Sequence, residues 1–192
     1  MTAIADESAA RLAHLEAGTT TAEAFALFDA LPGATIPEMI GRWRGRGLPT
    51  GHPFDGLLES LGWYGKEFSD PETVYPLLFR RRDGSAVALD PGLLPVGLLV
   101  RRPRLARSGL AQRAFRLLLP LLTTRRPKAR LRLVECRGRL GAAMIYDDQP
   151  ICDVFRTVDA DTRLGLMDLR GLPAPFFFVL RRDFGAAPGQ PL

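Results

Sequence analysis

Two stretches of the chain hold side chains that could do acid–base or recognition chemistry. The first is Thr50-Gly51-His52-Pro53 followed by Trp63-Tyr64-Gly65-Lys66. Histidine titrates near neutrality, so His52 can act as a general base or donate a hydrogen bond to a ligand. Trp63, Tyr64 and Lys66 can form an aromatic wall and a cationic head for an amphipathic molecule. Plainer uses exist for the same groups: His52 can cap the helix beginning at Pro53 or bond a loop carbonyl, and Lys66 can point to water. The second stretch holds Glu135, Met144, Tyr146, Asp153 and Phe155, with Asp168 beyond them. Its acids stand among apolar neighbours, and an acid directed inward costs several kcal/mol unless it is paired or protonated. These acids and Tyr146 are either the few polar contacts of a mostly apolar pocket or a structural network. In the latter, Glu135 or Asp153 pairs with Arg137 or Arg156 across adjacent strands. The sequence has no phosphate loop, Gly-x-Gly-x-x-Gly, nucleophile elbow or Cys-x-x-Cys. Cys136 and Cys152 have no histidine at metal-ligand spacing, so no disulfide framework, zinc site or reactive thiol is expected.

Patterning indicates which elements must position these groups. Residues 8–16 read as a helix stopped by Gly18, and Thr20-Thr21-Ala22-Glu23 is a capping box opening a second helix. The apolar face of that helix is Phe25, Leu27, Phe28 and Leu31, and Pro32-Gly33 ends it. Gly41-Arg42-Trp43-Arg44-Gly45-Arg46-Gly47 alternates large side chains with glycine, as a twisted strand against close-packed backbone would. Residues 53–61 carry Phe54, Leu57, Leu58 and Leu61 at helical spacing. Runs 74–80 and 85–89 flank Arg82-Asp83-Gly84, a hairpin signal, while 91–103 is rich in Leu, Pro and Gly and receives no assignment. A helix is expected over 108–122. After it come five strand-like runs, 129–136, 141–146, 151–158, 163–169 and 176–181, separated by turn residues.

Such an antiparallel meander favours an up-and-down barrel or a strongly curved sheet, because closure removes exposed strand edges. Alternation along its first strand turns Arg130 and Arg132 to water and Leu131, Leu133, Glu135 and Arg137 inward. Tyr146 shares a face with Met144 and Ala142, and Asp153 with Ile151 and Phe155.

The 192 residues are 46% hydrophobic and 24% charged, with a mean hydropathy of +0.01, which excludes disorder over most of the length. The apolar runs are short, far below the ~20 residues that span a bilayer. A start without a basic segment and apolar core gives no secretory signal, so a cytoplasmic protein is expected. The net charge of +5 and pI near 9.9 invite a nucleic-acid reading. Against it, lysine occurs only at Lys66 and Lys128 while arginine recurs along the chain, a pattern that codon usage in a GC-rich genome explains. No nucleic-acid partner is expected.

Several motifs in the same order carry a resemblance. Gly41-Arg42-Trp43-Arg44-Gly45, Thr50-Gly51-His52-Pro53 and Gly62-Trp63-Tyr64-Gly65-Lys66 resemble the GXWXG domain of bacteria and fungi. Ile145-Tyr146-Asp147-Asp148-Gln149-Pro150-Ile151, Asp153-Val154-Phe155-Arg156 and Gly165-Leu166-Met167-Asp168 resemble the uncharacterised domain usually found behind it. More distantly, Gly41-Arg42-Trp43 resembles the Gly-x-Trp signature of calycins, the lipocalin, fatty-acid-binding and nitrobindin barrels. That likeness implies a tryptophan plugging one barrel end beneath a stacked arginine, a contact of ~0.5–2 kcal/mol. Haem-binding calycins use a late-strand histidine, and none follows His52, so neither haem nor another cofactor is expected.

The expected fold is α+β: N-terminal helices over 1–34, a mainly antiparallel calycin-like barrel over 35–182 with halves 35–105 and 128–182 joined by one helix, and a flexible tail over 183–192. The expected function is binding of a small hydrophobic or amphipathic molecule in the barrel. His52, Trp63, Tyr64, Lys66, Glu135, Met144, Tyr146, Asp153 and Phe155 are the candidate ligand contacts. The alternative is an isomerase or cyclase in which Asp153 or Glu135 works with Tyr146 or His52.

Overall fold

In the computed structural model, residues 2–81, 84–95 and 107–185 are described. The Arg82-Asp83 turn, most of the unassigned 91–103 stretch and most of the 183–192 tail lie outside them. Capping sets the first elements. Helix α1 runs Thr2–Leu15, longer at its start than the 8–16 reading, and α2 runs Thr21–Ala30. The capping box forms as read: Thr20 Oγ1 accepts the Glu23 amide, while the Glu23 carboxylate accepts the Thr20 amide at 2.9 Å. A second box, Thr35 with Glu38, opens α3, Ile36–Met39. Helix α4 is only Leu57–Leu61, because Gly56 at its N-cap takes a left-handed φ of +70° that a helix starting at Pro53 could not contain. Helix α5, Gly109–Leu118, starts on the Ser108 side-chain cap. It tightens into a 3₁₀ turn, Leu119–Leu122, at Pro120, which has no amide hydrogen to donate.

The strands are β1 Gly41–Gly47, β2 Trp63–Phe68, β3 Val74–Arg80, β4 Ala86–Ala88, β5 Ala129–Cys136, β6 Arg139–Tyr146, β7 Ile151–Thr157, β8 Thr162–Leu169 and β9 Phe176–Arg182. All pairs are antiparallel, in the order β2-β1-β9-β8-β7-β6-β5-β3-β4. Because β2 also pairs with β3, the sheet closes in a ring with β4 appended on β3. The meander from β5 to β9 and the β3–β4 hairpin are where the patterning put them.

The sheet is covered on both faces over β6–β9. Inside the ring, Trp43, Phe68, Phe79, Phe155, Phe176 and Phe178 belong to one apolar cluster. Outside, Leu12, Leu27, Phe28 and Leu31 of the N-terminal helices pack on Val154, Leu164, Phe177 and Val179. This double burial explains why β9 reads as the unbroken apolar run Phe176-Phe177-Phe178-Val179-Leu180.

One end of the ring is closed by Trp43, fully buried, with Nε1 donating to Met39 O at 2.7 Å. The guanidiniums of Arg182 and Arg163 lie 4.3 and 5.1 Å from its ring. Both arginines also donate to backbone carbonyls, Arg163 to Asp159 O and Arg182 to Ile40 O and Glu38 O, which fixes the stack.

The inward alternation expected along β5 fails after Leu131. Leu133 is 53% exposed, Glu135 is exposed, and Arg137 leaves the strand in a left-handed turn to pair with Asp29. The cause is the short seam between β5 and β3, paired only at Val74 and Ala129. Beyond it the β5–β6 hairpin runs past the ring, so the face that reads as interior meets water. Asp168, expected among apolar neighbours, is likewise exposed.

Candidate functional site

The end of the ring opposite Trp43 holds a cavity of about 80 Å³, room for several water-sized groups. Its walls are mainly apolar, including Leu57 and Leu58 of α4, Trp63, Met167, Phe176 and Phe178. Two glycines make the aromatic walls possible. A Cβ at Gly45 would fall inside the Trp63 ring, and one at Gly165 inside the ring of Phe178, its cross-strand partner. Each ring lies flat on bare backbone. Phe178 then meets Trp63 edge-on at 6.1 Å and stacks with Phe176.

Polar groups enter this wall at few points. Lys66, 3% exposed, places Nζ 2.8 Å from Asp153 Oδ2, and Asp153 is 1% exposed. The ammonium also donates to Pro76 O at 3.1 Å and to the Tyr146 hydroxyl at 3.4 Å. Besides the ion pair with Asp153, the ammonium thus makes two hydrogen bonds, and the rings of Phe178, Trp63 and Tyr146 surround it at 4.9 to 5.8 Å. Burial pushes the Asp153 carboxyl above the usual carboxylate range, against the opposing pull of Lys66. Burial, with the Asp153 charge, holds the Tyr146 phenol well above its ordinary value. Two capacities are left over: Asp153 Oδ1 accepts no hydrogen bond from any described residue, and the Tyr146 hydroxyl keeps its own proton to donate.

Local irregularities bring Lys66 here. The β2–β3 register shifts between Trp63 and Gly65 and again between Gly65 and Glu67. These bulges place Trp63 and Lys66, three residues apart, on the same inner wall, where strict alternation would pair Tyr64 with Lys66. Pro76 lies in the shifted stretch of β3, and its carbonyl turns to Lys66. Opposite, Asp153 is the cross-strand partner of both Met144 and Met167.

The nine candidates are thus divided. Trp63, Lys66, Tyr146 and Asp153 meet at the cavity. Met144 and Phe155 are buried beside or beneath them in the same core, and Phe155 packs edge-on to Phe178 at 6.2 Å. His52 sits one layer behind, against Phe54 and Phe176. Its Nδ1 accepts the Phe54 amide at 3.1 Å, and burial lowers its pKa despite Asp55 and a backbone contact with Ala174. Tyr64 faces outward, where its hydroxyl donates to Asp183 and Arg80 stacks on its ring at 4.9 Å. Glu135 lies outside the ring on a groove with Cys136, Cys152 and Asp168.

The structural pairing expected for Asp153 takes another form: its partner is Lys66, whereas Arg156 stacks on Phe28 at 4.4 Å and donates to Cys136 O. Phe176, Phe178 and Met167 went unread as site residues. The signal was present in Gly165 opposite an aromatic strand, but it needs the β8–β9 register to be seen.

No helix among the described residues is long and apolar enough to cross a membrane, and no cluster of potential metal ligands occurs among them. Comparison with curated proteins finds no match. Among solved structures, the chain is similar to the crystal structure of a protein from Thermomonospora curvata. The two are 33% identical over 92% of this chain and 99% of that one, with a TM-score of 0.69. Residues 26–84 match the family described as GXWXG protein, and residues 127–182 match a domain of unknown function, DUF4334. The two matches contribute different walls of the site, Trp63 and Lys66 from the first and Tyr146 and Asp153 from the second, and the chain belongs to the family that joins a GXWXG segment to DUF4334.

Proposed function

We propose that this protein binds a small, uncharged amphipathic molecule in the cavity, with the apolar body against Trp63, Phe176 and Phe178 and the polar end at Asp153 and Tyr146. The observation that carries the reading is Asp153 Oδ1, a buried acceptor with no donor from the described residues, on the wall of an apolar cavity. An unsatisfied buried acceptor costs about 1–3 kcal/mol, which a ligand donor recovers. The head group follows from the balance of charge. Lys66 and Asp153 neutralise each other, so a carboxylate ligand finds no unpaired cation. A hydroxyl or primary amide can donate to Oδ1 and accept from the Tyr146 hydroxyl at once. In this reading the ring is a calycin-like barrel: Trp43 under Arg182 plugs one end and the ligand enters at the other.

The test is titration of the full chain with straight-chain alcohols, amides and carboxylic acids of equal length, followed by native mass spectrometry and calorimetry. Alcohols or amides are expected to bind more tightly than acids, and Tyr146→Phe is expected to weaken them about fivefold or more, the loss of one hydrogen bond. Absence of binding across all three series would sink the reading.

A second reading rests on the raised Asp153 carboxyl beside Tyr146, a proton acceptor and donor pair suited to an isomerase or cyclase. It requires an activity with a bell-shaped pH profile that Tyr146→Phe alters. Turnover unchanged in every variant of Lys66, Tyr146 and Asp153 would exclude it.

A further inference from the structure

Helix α5 carries two apolar stripes, and the fold uses one. Ala111, Phe115 and Leu119 turn inward, Phe115 meeting Phe79 at 5.2 Å. Leu110, Leu117 and Leu121 are 79, 78 and 75% exposed, and Leu118 is 50% exposed. At spacings of three, four and seven residues these four leucines share one outer face across the helix and its 3₁₀ extension. Exposed leucines scattered singly need no explanation, but a contiguous row on one helix does.

Charge points to what covers the row. Between Asp90 and Glu135 the chain carries eleven arginines and lysines and no aspartate or glutamate, while the rest of the chain holds more acids than bases. The net charge of +5 is therefore concentrated in the segment that contains α5. Arg113 and Arg116 flank the leucine row, and Arg125 and Arg126 follow the 3₁₀ turn; all four are exposed, and none forms an ion pair with a described residue. Farther on, Lys128 and Arg132 are engaged by Asp90, Asp148 and Glu72. Leucines on one side with arginines at the border are the pattern of a helix lying in a lipid–water interface, the leucines in the acyl layer and the guanidiniums at anionic headgroups. A second copy of this face would meet its own positive charge, and RNA phosphate would leave the leucines in water.

We propose that α5 and its 3₁₀ extension form a peripheral docking surface for an anionic lipid bilayer. The surface adjoins the proposed ligand site: α5 packs on α4, whose Leu57 and Leu58 line the cavity, and Arg107 donates to Pro53 O and Asp55 O. Docking itself does not depend on that site.

Flotation of the full chain with phosphatidylcholine vesicles, with and without phosphatidylglycerol, tests the proposal. Binding is expected only where phosphatidylglycerol is present, and it should fall as salt rises. Leu117→Gln with Leu121→Gln, and separately Arg113→Gln with Arg116→Gln, should each weaken it roughly tenfold or more. These side chains are exposed, so circular dichroism and melting should match the wild type in both variants. Tyr146→Phe should bind vesicles normally, which separates this result from the cavity reading. Equal binding to neutral vesicles, leucine variants that bind as well as wild type, RNA binding in place of vesicle binding, or a dimer that the leucine variants dissolve would each overturn it.

Discussion

Asp153 and Lys66 occupy an environment that would expel either one alone. Both are almost fully buried, and each is tolerated because the other neutralises it at 2.8 Å. Removing one partner should therefore cost more than removing both. Asp153→Asn is expected to lower stability to urea by about 3–5 kcal/mol, whereas Asp153→Leu with Lys66→Met should recover most of that loss. His52 sets a pH dependence. Its folded pKa lies below the ordinary 6.5, because burial disfavours the imidazolium and Nδ1 must stay unprotonated to accept the Phe54 amide. The unfolded chain thus takes up a proton first as pH falls. The stability this contributes is complete above about pH 6.5 and is lost toward the lower folded value. Melting curves across that window should flatten in His52→Gln. Cys152, raised to about 11 by burial and by the nearby Asp153 and Asp168 charges, should alkylate at neutral pH roughly 100-fold more slowly than an unshifted thiol. Iodoacetamide kinetics followed by mass spectrometry would check it. At this scale the chemistry of Lys66, Tyr146 and Asp153 was legible from residue type, but the Lys66–Asp153 pairing was not. The two lie 87 positions apart, and nothing local links them.

Among the elements, capping and turn chemistry were the readable part. Thr20 and Glu23 act within three residues of each other, so their box forms wherever the chain goes. Departures occur where a neighbour decides. Tyr64 and Lys66 sit two apart on a strand yet face opposite ways, because bulges against β3 insert a residue between them. Glu135 reads as interior by alternation, but β3 pairs with β5 only at Ala129 and does not extend along that part of the strand. The glycine floors give a direct test of element packing. Gly165→Ala should force Phe178 off its present position, lowering stability by about 1–3 kcal/mol and disturbing the cavity wall, which thermal unfolding and loss of ligand binding would reveal.

For the whole molecule, the ring makes the two matched segments depend on each other. Strand β1 is held between β2 and β9, so the GXWXG segment has no closed core without the last strand of the chain. The two tryptophans report on opposite ends, Trp43 at the plug and Trp63 at the cavity. Single-tryptophan variants followed by fluorescence in urea should unfold with coincident midpoints. Separate transitions would mean that the halves are independent units. By itself the sequence determined the strands other than β2, the Thr20 cap, and that the C-terminal half is a meander, because these rest on interactions within a few residues; β2 went unread because its bulges break the alternation. Only the tertiary structure decided which faces are interior, that Lys66 meets Asp153, and that four leucines of α5 and its extension are exposed. Each of these depends on register and closure between segments far apart in the chain, and a one-residue shift in register reverses every side chain on a strand.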